Sequence, residues 1–180
     1  MNRKSNLRLG VSLIGSIVTA CIFSVIVLAS LTGILQYKAG VALVQVITLL
    51  ILYLLVYMRL WYVGEKDINY VQTGHIPFDR YCGLKIGLTG MTVLYLPVVL
   101  LVIGIVQQNQ MLIGIFRILS AVFFGFHSLF LPEKVEDFTL LHVLLTLLPP
   151  LVVPAISMLA YYLGNHRISL FTHLVYKKKK

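Results

Sequence analysis

Any metal site or catalytic centre in this chain would have to be built from five histidines, two cysteines and six carboxylates in 180 residues. His75, His127, His142, His166 and His173 form no HExxH step, Cys21 and Cys82 form no CxxC pair, and there is no GxSxG elbow, P-loop or GxGxxG fingerprint. A zinc or redox site needs closely spaced thiols or imidazoles, and covalent catalysis needs a nucleophile beside a base. The sequence therefore points to no catalytic residue, no metal and no cofactor, and both cysteines read as small hydrophobes, Cys21 in an apolar run and Cys82 in a loop. Glu65, Asp67, Asp79, Glu133, Glu136 and Asp137 all fall between apolar runs, which argues against a carboxylate proton relay inside a membrane.

The polar groups left inside the apolar runs are Gln45, Arg117, His127 and His142. Arg117 with His127 and His142 is a candidate lining for an outward-facing pocket that takes an anionic or polar ligand, because a guanidinium offers a fork of donors to carboxylate or phosphate. The competing reading is an ion pair from Arg117 to Glu133, Glu136 or Asp137. Gln45 reads more simply as an interhelical hydrogen bond.

The elements that would hold these groups follow from composition. With 59% hydrophobic and 12% charged residues and a mean hydropathy of +0.92, a water-soluble core of this size could not hide the apolar surface. The solvent is a lipid bilayer. The 15 Lys+Arg, a net charge of +9, gather at the ends of apolar runs instead of covering a soluble face, so they read as topology signals and not as a nucleic-acid surface. The expected class is an all-α polytopic membrane bundle, a single integral domain over 1–180, because unpaired backbone groups are not tolerated in hydrocarbon and the runs lack the alternation of barrel strands.

Five runs are long enough to cross: Leu9 to Leu35, Val41 to Val63, Leu84 to Val106, Met111 to Leu131 and Phe138 to Leu163. The first follows Arg3, Lys4 and Arg8 and reads as an uncleaved anchor. Val18-Thr19-Ala20-Cys21 resembles a lipobox, but Ile22 to Leu28 continues the apolar run where a lipoprotein turns polar. The second ends in Tyr57, Arg59, Trp61 and Tyr62, an interfacial belt facing the cytoplasm. A cytoplasmic loop over 64–83 follows, and the polar turn Gln107-Gln108-Asn109-Gln110 suits the outer face. Were the fourth run to cross as well, Arg167 and the lysines of the basic tail over 164–180 would lie outside, against the positive-inside rule. Arg117, Gly114 and Gly125 mark that fourth run as the exception. The expectation is four spans plus a re-entrant or interfacial helix on the outer side, both termini cytoplasmic, with five full spans as the alternative.

Small residues mark packing faces in lipid. Ser12, Ser16, Ala20 and Ser24 recur at i,i+4 in the first run, and Gly83 with Gly87 makes a GxxxG step. Pro149, Pro150 and Pro154 break the last run, and a broken helix beside a re-entrant one is a transporter-like arrangement.

The stretch Gly64-Glu65-Lys66-Asp67-Ile68-Asn69-Tyr70-Val71, with Gly74-His75-Ile76-Pro77-Phe78-Asp79-Arg80, Gly83-Leu84-Lys85-Ile86-Gly87 and the ending Tyr162-Leu163-Gly164, Ile168-Ser169-Leu170 and Val175-Tyr176-Lys177, resembles small uncharacterised multi-pass membrane proteins of Gram-positive bacteria, notably clostridia. The resemblance implies a bacterial plasma membrane and carries no activity or site residue. Read physically, Asp67, Asn69, Asp79, Arg80 and Lys85 gather polar functions in the loop over 64–83, as a docking surface for a membrane-protein partner or as a self-capped connector. Lys177, Lys178, Lys179 and Lys180 are placed to meet the anionic inner leaflet. The expected function is a non-enzymatic accessory or partner-binding subunit of a membrane complex. The alternative is a small transporter or solute-binding subunit with a pocket near Arg117.

Overall fold

The structure, a computed structural model, describes residues 5–75, 77 and 79–168. Arg3, Lys4, Ile76, Phe78 and the tail from Ser169, with His173 and the four terminal lysines, lie outside the described residues. The elements are helices α1 (Asn6–Ser30), α2 (Lys38–Gln72), α3 (Cys82–Val106), α4 (Gln110–Leu119), α5 (Phe124–Phe130), α6 (Leu140–Thr146) and α7 (Val152–Asn165), with short 3-10 turns between several of them. Four stretches are long and apolar enough to cross a bilayer: α1, α2, α3, and α6 with α7 taken together over Leu140–Asn165.

These four pack as a square in which α1 and α7 each touch both α2 and α3. Their outward sides carry exposed apolar residues such as Phe23, Leu50, Leu96 and Leu144. In water those residues would be a liability, and against lipid tails they are at rest, so close backbone approach and polar contacts do the work that apolar exclusion does in soluble proteins. Gly64 on α2 lies where a Cβ would collide with the Tyr161 carbonyl of α7, and Gly164 on α7 lies where one would collide with the Trp61 carbonyl of α2. Gly83 and Gly87 bring α3 onto Ser157 and Pro154 of α7 in the same way.

Several boundaries differ from the sequence expectation. The connector expected over 64–83 is helical as far as Gln72, because Gly64, which reads as a breaker, is instead the point where α7 needs room. Asp67 and Asn69 therefore stand on a helix, and only residues 73 to 81 connect α2 to α3. Cys82 opens α3 and is fully buried, not in a loop. The first span ends early, at Ser30, since a turn is needed to bring Gly40 of α2 against the Ile34 carbonyl. On α1 the buried stripe is Gly10, Leu13, Ile17, Ala20 and Ser24, so Ser12 and Ser16 of the expected face turn half outward. A strict i,i+4 row drifts by about 40° per step around a helix of 3.6 residues per turn, and mixed steps of three and four follow the contact better.

The segment around Arg117 is the expected exception. α4 and the stretch Ala121–Phe130 meet at an angle of 85°, and the chain leaves where it came in. The Gln110 side chain, at the start of α4, donates to the Glu133 carbonyl at 2.7 Å and accepts from the Val135 amide at 3.1 Å. A segment whose first residue is bonded to the residues just past its end is re-entrant, and this one dips in from the end of the bundle where α3 finishes. At the opposite end, Cys82 donates to Asn6 at 3.4 Å and Gly83 packs on Tyr161, so the start of α1 and the end of α7 lie together.

Candidate functional site

The 85° break exposes backbone groups that a straight helix would satisfy, and α2 supplies their partners. Gln45 Nε2 donates to the Val122 carbonyl at 3.0 Å, Thr48 Oγ1 donates to the same carbonyl at 2.9 Å, and Gln45 Oε1 accepts from the Phe126 amide at 3.0 Å. Gly125 allows this approach, since a Cβ there would stand 2.5 Å from Cβ of Gln45. Gln45 is thus an interhelical clamp on the break.

Arg117 occupies the last turn of α4, where the carbonyl end of the helix favours a cation. Its Nη2 donates to the Pro132 carbonyl at 2.6 Å, and its Nε is buried without a hydrogen-bond partner. Among the described residues no carboxylate pairs with it; the ion pair in this set joins Lys85 to Asp79 at 2.7 Å, and Glu133, Glu136 and Asp137 do not answer the guanidinium. His127 is buried within electrostatic reach of Arg117. Its ring packs on Phe116 at 5.0 Å, Phe126 at 6.1 Å and Phe123 at 6.4 Å, with Nδ1 left without a partner. His142 is elsewhere: its Nδ1 accepts from the Thr139 amide at 3.0 Å in a reciprocal cap of α6, beside Phe138. The structure therefore brings Arg117 and His127 together and leaves His142 outside their group.

Two apolar hollows adjoin this group. One, of about 280 Å³, is lined by Val25, Leu28, Thr32 and Leu35 of the α1 side with Arg117 and Phe124 opposite. The other, of about 330 Å³, continues from Val25 and Ile118 down to Cys21, Val18 and, on α3, Leu94 and Pro97. Sequence reasoning found Arg117 but missed the groove, because its walls are ordinary Val, Leu and Ile and only the bend at Ser120 leaves them uncovered.

At the amino-terminal end the polar residues of the α2–α3 region are held by α7 and the residues just past it. Asp67 is buried and accepts from the Tyr161 hydroxyl at 3.0 Å, Asn69 accepts from Arg167 at 2.6 Å, and Trp61 donates to the Ile168 carbonyl at 2.8 Å. Asp79 accepts from the Tyr81 amide at 3.0 Å and from Lys85, while Lys66 and Arg80 stay exposed. Arg59 donates to the Ser12 hydroxyl across the α1–α2 face.

Architecture and polar groups together define a multi-pass helical membrane protein with a re-entrant element. No protein-family model, curated protein or solved structure matches the chain.

Proposed function

We propose that the chain is a non-enzymatic, partner-binding subunit of a membrane complex in a bacterial plasma membrane, with its termini in the cytoplasm and Lys177 to Lys180 on the anionic inner leaflet. The observation that carries this reading is the state of the amino-terminal end. Asp67 and Asn69 on α2 are engaged by Tyr161 and Arg167, and Asp79 at the end of the connector by Lys85, which leaves Lys66 on α2 and Arg80 before α3 exposed. Two exposed cations near interfacial Trp61 and Tyr62 fit an acidic segment of another membrane protein, since complementary charge sets orientation and partner choice. The polar side chains that α2 turns to the re-entrant segment favour the same reading over transport: Gln45 and Thr48 spend their hydrogen bonds on the protein's own backbone.

The test is purification from native membranes in mild detergent, with quantification of what accompanies the tagged chain. The reading expects a stoichiometric membrane partner that is lost from the Lys66→Glu/Arg80→Glu variant while the thermal midpoint is kept. A chain that is reproducibly solitary, or a partner indifferent to both charge reversals, removes it.

A further inference from the structure

Arg117 and the groove beside it form a site that the partner-binding reading does not use. A partly buried guanidinium with one carbonyl partner, a buried Nε without one and no carboxylate counter-ion is an uncompensated charge in an apolar setting. The neighbouring Nδ1 of His127, on a ring only 3% exposed, is likewise without a partner. A guanidinium in this setting is complementary to an anionic group.

Depth identifies its kind. Arg59 and Lys38 bound the apolar run of α2, and at 1.5 Å per residue they are about 31 Å apart along the axis, the thickness of a hydrocarbon core. Thr32 and Leu35, in the turn that leads to Lys38, line the hollow that Arg117 closes. Arg117 therefore lies in the half of the span nearer Lys38, on the re-entrant side, and its guanidinium reaches from there towards the headgroups, as its bond to the Pro132 carbonyl indicates. From Leu28 the two hollows follow α1 down to Val18, about 15 Å of helix, which is the depth of one leaflet. Along that path the lining is aliphatic, with Cys21 as its polarisable exception.

We propose that this groove seats an anionic phospholipid of the leaflet on the re-entrant side, with its phosphate at Arg117 and one acyl chain lying along α1 towards Val18. Cation, depth and aliphatic length agree on that amphiphile. The site is independent of the α2–α3 connector and stands or falls apart from it.

The experiment follows thermal unfolding of the purified full chain in detergent with added dioleoyl phosphatidylglycerol, dioleoyl phosphatidylcholine or inorganic phosphate. Phosphatidylglycerol is expected to raise the midpoint by about 5 °C more than phosphatidylcholine, and inorganic phosphate to do nothing. Arg117→Gln removes the charge and Val25→Trp fills the junction of the two hollows; each should abolish the difference, whereas Val102→Trp on the exposed face of α3 should keep it. If Arg117→Gln fails to fold, Val25→Trp decides, because it leaves the bond to Pro132 in place. Equal response to both lipids, protection by inorganic phosphate alone, a preference that survives Val25→Trp, or its loss in Arg59→Gln but not in Arg117→Gln would each overturn the assignment.

Discussion

Gln45 Oε1 accepts the Phe126 backbone amide at 3.0 Å while the same side chain donates to the Val122 carbonyl, so one amide spans the break between the two arms of the re-entrant segment. Irregular backbone at membrane depth persists only where protein or water satisfies it. Here the satisfying group comes from α2, which ties the shape of the re-entrant segment to a spanning helix and not to its own sequence.

Replacing Gln45 by Leu should therefore cost more than a surface change in the same helix. Side-chain hydrogen bonds in membrane proteins contribute about 0.6–2 kcal/mol, and two are lost together with the cover over two backbone groups. A loss of about 2 kcal/mol is expected by thermal or denaturant unfolding in detergent, with Thr48→Val at about half of that because Gln45 still reaches Val122. Unchanged stability in Gln45→Leu would mean that the break is held by something else.

The crossing of α2 and α7 makes a second prediction, with its own internal control. A Cβ at Gly164 or Gly64 would meet a backbone carbonyl of the opposite helix, which cannot swing aside as a side chain would, whereas Gly114 on α4 has open space around it. Gly164→Ala should destabilise by about 1–3 kcal/mol through overpacking. Gly114→Ala should be neutral or gain up to about 1 kcal/mol from helix propensity. Thermal midpoints of the two variants in one detergent compare them directly, and a common sign would contradict the close approach of the two backbones.

What the letters disclosed and what they withheld divide along physical lines. Lipid as solvent, the positions of the apolar runs and the odd status of residues 111 to 131 follow from local composition, and the structure has α1, α2, α3 and α6 with α7 as spans and the bent pair as the exception. Gly64 illustrates what does not: the same residue type breaks a helix or admits a neighbour, and only the position of Tyr161, far along the chain, decides which. Asp67 gives no local hint that it faces a buried tyrosine hydroxyl. Arg117 is visible as an anomaly, but its partner is a carbonyl and not one of the nearby acidic side chains, because the turn at Pro132 offers a fixed acceptor while Glu133 and Glu136 stay exposed.

That choice of partner can be checked by removing the charges that Arg117 does not use. The Glu133→Gln/Glu136→Gln/Asp137→Asn variant should lie within about 0.5 kcal/mol of the parent, as surface substitutions away from buried networks do. Gln110→Ala, which loses the bonds to the Glu133 carbonyl and Val135 amide, should cost about 1–2 kcal/mol at net hydrogen-bond values. Equilibrium unfolding in the same detergent separates the two, and a large loss in the acidic triple variant would restore an ion pair to Arg117.

The re-entrant path has a consequence for sidedness that labelling can read. Gln108 precedes α4 and Lys134 follows α5, both are exposed, and the Gln110 bridge to Glu133 and Val135 holds their turns together. His75 lies in the connector between α2 and α3 at the other end of the bundle. In a Cys21→Ala background, with Cys82 sheltered by full burial, thiols introduced at Gln108 and Lys134 should react with a membrane-impermeant maleimide from the same face, and one at His75 from the opposite face. Four crossings then return Arg167 to the side of Arg8, Arg59, Lys66, Arg80 and Lys85, with Lys38 and Lys134 on the other face, so the larger group of cations shares one compartment, as the positive-inside rule expects. Labelling of Gln108→Cys and Lys134→Cys from opposite faces would make residues 111 to 131 a full span, and the lipid groove at Arg117 would lose the leaflet it depends on.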